Sequence, residues 1–243
     1  MKLVPKLFFL GSILLCCKCG FTEENNTNNF VTFDIRNIPS FSKVTLKGIG
    51  ELIFSDINQE IIKIQAEKSV IPQIETTVTD GELLIQTKGV IRSAKPIKYY
   101  LAVEDVNAIS VSGSAKVSNV NLLKVDSLDI KASGASRVNI HQLFGNEVTL
   151  KIQGSATVNV KGAIERQTID VAGAGQYQGL ELISNVATVN AKGAARVIVN
   201  TKDKLTVNAS GASSIKYKGS PTIEKKLTGV ASLSPVGQKI IEK

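Results

Sequence analysis

The sequence predicts an all-β fold, a parallel β-solenoid with rungs of about 20 residues, and three observations carry that prediction. A glycine-centred motif recurs seven times at nearly constant spacing. Within each copy the side chains alternate apolar and polar with period two, the signature of a strand with one buried face. The apolar content is mainly Val, Ile, Leu and Ala, with aromatics at 5% and no Trp. Val and Ile are β-branched and suit a pleated surface.

The motif reads ISVSGSAKV at Gly113, IKASGASRV at Gly134, LKIQGSATV at Gly154, IDVAGAGQY at Gly173, VNAKGAARV at Gly193, VNASGASSI at Gly211 and KLTGVASL at Gly229. Successive glycines lie 21, 20, 19, 20, 18 and 18 residues apart. Two residues before the glycine stand Val111, Ala132, Ile152, Val171, Ala191, Ala209 and Leu227. Two after it stand Ala115, Ser136, Ala156, Gly175, Ala195, Ser213 and Ala231, all small. Four after it stand Val117, Val138, Val158, Tyr177, Val197, Ile215 and Leu233. These three columns are expected to face inward. The residues between them, among them Ser112, Lys116, Ser133, Arg137, Lys192 and Arg196, are expected to face water. One rung cannot bury its apolar side alone, whereas identical columns stacked at ~4.8 Å form a continuous core. The glycine and the small residue beyond it mark the place where the interior narrows or the chain bends.

Other architectures fit less well. An antiparallel sandwich or barrel wants hairpin signals every 8 to 12 residues, and Asp80-Gly81 lies ahead of the repeats. A propeller wants repeats of about 40 residues with aromatic signatures, and helical repeats want a period of 3.6. Residues 30–236 are read as the solenoid, with 30–105 as irregular opening turns and a cap and 106–236 as regular repeats. The opening part contains strand-like runs at Val31–Ile35, Lys43–Phe54, Ile61–Ala66, Ile74–Thr79, Leu83–Thr87 and Lys98–Val103. Lys47-Gly48-Ile49-Gly50 in it looks like a degraded copy of the glycine motif. Atypical terminal turns are expected, because an uncapped end exposes core and strand edges. Pro235 and the tail at 237–243 finish the stack.

Residues 1–16 read as a secretory signal peptide, with Lys2 and Lys6 ahead of the apolar run Leu7–Leu15, which is too short to span a bilayer. A polar tether follows at 17–29. Cys16, Cys17 and Cys19 are the only cysteines, so the body has no disulfide framework, zinc cluster or cysteine nucleophile. A cysteine between such a run and a polar tether resembles the bacterial lipoprotein signal. Cys17 is the expected site of lipid attachment, palmitate included, with Cys16 as the alternative. The expected location is therefore the cell envelope, on the outer membrane, facing either the periplasm or the cell surface.

The formal net charge of +8 falls to about +6 once Lys2 and Lys6 are removed. Basic residues are scattered among acidic ones, with few aromatics, so no nucleic-acid partner is expected. No cofactor or metal is expected either. The single His141 has no nucleophile or metal partner in the sequence and reads as a polar residue where the strand turns. Asp126, Asp129, Glu147, Glu165, Asp170 and Glu181 fall in different columns, whereas a glycosidase or lyase site needs carboxylates gathered on one face. Lys116 and Arg137 fall in one column on neighbouring rungs and form a weak candidate face for an anionic ligand.

The opening FDIRNIPSFSKVTLKGIG, the later DGELLIQT and the serial GSA-type units at Gly113 and Gly154 resemble the auto-transporter adhesin head GIN domain family. That resemblance spans about Phe30 to Val236 and implies a right-handed β-helix on exported proteins, often lipoproteins, with a role in adhesion. It implies no catalytic residues. The reading is an exported lipoprotein whose solenoid binds a glycan or a host or surface protein without turnover. A polysaccharide lyase-like enzyme and a purely structural envelope protein are the alternatives.

Overall fold

The computed structural model describes residues 30–237 apart from 56, 58–59 and 103–105, so Cys17 and its neighbours lie outside the described residues. All strands join one sheet that winds around a single core. In the opening part these are β1 (Val31–Asn37), β2 (Lys43–Gly48), β3 (Glu51–Phe54), β4 (Ile61–Glu67), β5 (Ile74–Thr79), β6 (Glu82–Thr87) and β7 (Lys98–Leu101). The regular part contains β8 (Ala108–Gly113), β9 (Lys116–Asn119), β10 (Leu123–Ala132), β11 (Arg137–Gly154), β12 (Thr157–Gly173) and β13 (Gln176–Gly193). It ends with β14 (Arg196–Ala209), β15 (Ser214–Lys218), β16 (Thr222–Leu227) and β17 (Ser232–Pro235).

From β8 onward every pairing is parallel and each rung lies on the next in register. The seven glycines from Gly113 to Gly229 bound six complete turns. The inward columns are as expected, with Val111, Ala156, Val158, Tyr177, Val197 and Ile215 all buried. Toward the last rung Leu227, Ala231 and Leu233 are only partly covered, because no further rung lies above them among the described residues.

The glycines themselves sit on the outer corner of each rung, so the bend explains them and a narrow interior does not. From Gly113 to Gly229 their φ values lie between +71° and +87°, the left-handed region that glycine adopts without steric cost. The chain turns there, and the amide of the next residue donates to the glycine carbonyl one rung back, as from Ala135 to Gly113 and from Ala194 to Gly173. A Cβ on Gly154 or Gly173 would stand 3.1 Å from that carbonyl oxygen. The small column two residues on is the inner lining of the same corner. A Cβ on Gly175 would meet Ile152 Cγ2 at 2.8 Å and Val171 Cγ1 at 2.9 Å.

Each turn bends again where the register shifts between Ile140 and Leu143, and at the matching places in β12 and β13. His141 is exposed at this bend, and its backbone amide donates to the buried Asn119 Oδ1 at 2.7 Å. It is a corner residue, as its sequence context suggested.

The opening part departs from chain order. Gly48 does continue the glycine column, pairing with Gly113. However, β2 and β3 lie between β8 and β9 on one side and β6 and β7 on the other. The chain leaves the second rung, builds the end of the stack and returns to continue it. That end is closed by antiparallel strands, β5 on β6 through the Asp80-Gly81 hairpin and β4 on β7 with β1 outermost. Arg36 ties β1 to β5 across the end of the core, donating to Ile74 O at 2.9 Å and Thr76 Oγ1 at 3.1 Å while paired with Asp34 at 2.7 Å. At the other end, β16 carries Glu224, Lys225 and Lys226 and β17 ends in Pro235, features that discourage edge pairing.

Candidate binding surface

Because the rungs stack in register, every outward side chain stands beside its counterparts one rung up and one rung down. Two walls meet at the glycine corner. The wall after the corner carries Lys116 and Arg137 on adjacent rungs, paired in register and exposed as expected. On the far side of Lys116 stands Glu51, which pairs in turn with Lys98. Ser118 Oγ donates to Glu51 Oε1 at 3.4 Å. The carboxylate beside Lys116 comes from the displaced second rung, so column reading of the regular repeats cannot show it. Beyond Arg137 the column continues with Thr157, Gln176 and Arg196.

The wall before the corner holds a long concavity. A groove of about 700 Å³ runs across the rungs from Lys151 and Gln153 past Asp170, Asn190, Lys192 and Asn208 to Lys226 and Thr228. A second of about 400 Å³ continues it toward the capped end, lined by Thr45, Lys47, Glu82, Ser110, Lys131 and Ser133 and sharing Lys151 and Gln153. Strand pairing explains the regularity of the lining. Lys131, Lys151, Asp170, Asn190, Asn208 and Lys226 are successive members of one column. Gln153, Ala172, Lys192, Ser210 and Thr228, each one residue before its glycine, form the second column of the lining.

Side-chain amides tie parts of this wall together. Asn190 Nδ2 donates to Asp170 Oδ1 at 2.8 Å and Asn208 Nδ2 to Asn190 Oδ1 at 3.1 Å. Along the joined grooves Lys47, Lys131, Lys151, Lys192 and Lys226 face two carboxylates, Asp170 and Glu82. Ion pairs among the described residues are Arg36–Asp34, Lys88–Glu75, Lys161–Glu181 and Lys204–Glu224, which leaves the five groove lysines outside them. Sequence reading passed over this surface. Apart from Glu82, the columns one and three residues before each glycine hold its polar lining, but polar columns look like any solvated face until the angle between walls is known.

The acidic residues do not converge. Asp126 accepts from Asn146, Glu165 from Asn185 at 2.6 Å, and Glu181 pairs with Lys161 at 2.8 Å, each with a partner on a neighbouring rung. Among the described residues there is no group of three His, Cys, Asp or Glu that could hold a metal ion.

A parallel β-solenoid with long ordered outer walls defines the fold class of this protein. The chain belongs to the family described as "Putative auto-transporter adhesin, head GIN domain", whose model matches residues 40–221. The fold is also that of several crystal structures. One, described as a putative adhesin from Bacteroides fragilis, has a TM-score of 0.78 at 23% identity, over 85% of this chain and 97% of that one. A putative adhesin from Parabacteroides distasonis gives 0.71 at 17% identity, covering 86% and 98%. A protein from the same species described as a putative lipid binding protein gives 0.65 at 21% identity, also covering 86% and 98%.

Proposed function

We propose that this protein is an exported, lipid-anchored component of the cell envelope, attached through Cys17, that recognises a surface ligand on its outer walls without turning it over. The observation that carries the reading is the open, axis-long groove of repeated hydroxyls, amides and ammonium groups from Lys47 to Lys226. Such a surface spreads hydrogen-bonding groups over successive rungs rather than converging them on one point, which suits binding of an extended ligand better than catalysis at one bond. Family membership and the adhesin-like neighbours support recognition as the role. The polar residues after the apolar run support the anchor.

A glycan array and a panel of host-matrix proteins test this reading. Binding of at least one class above background, with no shortening of the ligand over prolonged incubation, is expected. Silence across both panels, or release of reducing or unsaturated ends from a bound polysaccharide, contradicts it.

A further inference from the structure

The cations along the groove are not evenly spread. Lys47, Lys131, Lys151, Lys192 and Lys226 belong to the rungs of Gly48, Gly134, Gly154, Gly193 and Gly229. Three of the four intervals between them are two rungs, ~10 Å at the strand spacing, and only Lys131 and Lys151 are on adjacent rungs. The rungs between carry neutral donors and acceptors, Ser110 and Ser112 on one and Asn208 and Ser210 on another. The remaining one, the rung of Gly173, carries Asp170 with Ala172 beside it.

We infer that the groove binds an acidic polysaccharide lying along the solenoid axis, of the class with one anionic group per two sugars; this rests on the recognition role proposed above. A stretched pyranose chain advances by about one rung per sugar, so alternate sugars laid over Lys151, Lys192 and Lys226 meet an ammonium group, and those between meet Asp170 on one rung and Asn208 with Ser210 on the other. Lys supplies a compact charge that tolerates varied anion geometry, whereas the bidentate fork of Arg is absent from the lining. Asp170 disfavours an anion at its own rung, and so selects the alternating polymer over one charged at every sugar. The lining holds no aromatic side chain on which a base could stack, which separates this ligand from single-stranded nucleic acid.

The test is direct binding by the full chain to labelled hyaluronan oligosaccharides, polygalacturonate, neutral dextran and single-stranded DNA, in low and high salt. Hyaluronan, with one carboxylate per disaccharide, is expected to bind most tightly and to weaken with salt. The double variant Lys151→Glu/Lys192→Glu is expected to lose at least about tenfold in affinity, the equivalent of one charge-assisted hydrogen bond. Lys216→Glu/Lys218→Glu, exposed on β15 and outside the groove lining, leaves it unchanged, and Asp170→Asn raises affinity for polygalacturonate. All these side chains are on the surface, and circular dichroism checks that each variant keeps the fold. Hyaluronan binding that ignores the groove variant, or equal or tighter binding of DNA, overturns the inference. A neutral glycan or matrix-protein ligand with no binding to either acidic polymer overturns it while the scaffold reading stands. No binding to any glycan or matrix protein overturns both.

Discussion

Gly162→Ala is expected to lower the unfolding free energy by roughly 2–6 kcal/mol, from a glycine-only backbone conformation and from overpacking in similar parts. Gly162 is at the second bend of its rung, where the register shifts after Asn159, with φ at +134°. A Cβ there would lie 2.8 Å from the carbonyl carbon and the amide nitrogen of Leu143 on the rung below, and closer still to its oxygen. All three atoms are backbone held in a ladder, so nothing can move aside. Gly89 is the control, since it also has positive φ (+72°) but an added Cβ would meet nothing within 4 Å. Gly89→Ala is expected to cost only ~1–2 kcal/mol. Urea unfolding of both variants checks the pair, and equal midpoints would show that stacked backbones do not set the limit.

Tyr177→Val is expected to cost about 3–5 kcal/mol, the usual range for emptying an aromatic site in a core. Tyr177 occupies a column that elsewhere holds Val, Ile or Leu, and it is wholly buried, which pushes its hydroxyl well above the usual tyrosine range. Room for the ring comes from Gly179 two residues on, where a Cβ would stand 2.5 Å from the hydroxyl. That hydroxyl donates to Gln167 Oε1 at 2.8 Å, Gln167 Nε2 donates to Ser184 Oγ at 2.8 Å, and Ser184 Oγ donates to Asn200 O at 3.2 Å. Tyr177→Phe keeps the volume but leaves Gln167 Oε1 unpaired, so a loss of ~1–3 kcal/mol is expected. The ring and the glycine are coupled, so Gly179→Ala should destabilise the parent and be tolerated in Tyr177→Val. Additive effects in this double-mutant cycle would contradict the packing described.

The columns were legible in the sequence because a parallel stack repeats its environment at every rung. Val111, Ala132 and Ile152 needed only the period-two rule and the glycine spacing to be placed inside. The strands of the opening part were legible too, including the hairpin at Asp80-Gly81. Their order in space was not, because β2 pairs with both β6 and β8 and no local signal says that a later strand will lie beneath an earlier one. Glu51 beside Lys116 follows from that hidden order. The groove was missed for a different reason. Lys151, Asn190 and Lys192 look like solvated positions one by one, and only the fold of one wall against the next makes them a single surface.

Everything proposed for the groove depends on outward columns that run straight along the axis, and pulsed electron spin resonance distances test this most directly. With Cys16, Cys17 and Cys19 replaced by serine, spin labels are placed at Lys131 and, in turn, at Asn190, Asn208 and Lys226. These partners are three, four and five rungs from Lys131 in the same column. Stacking predicts separations of roughly 14, 19 and 24 Å, growing by ~4.8 Å per repeat. Distances that level off, fall back or grow irregularly with repeat number would contradict the stacked solenoid and the binding surface built on it.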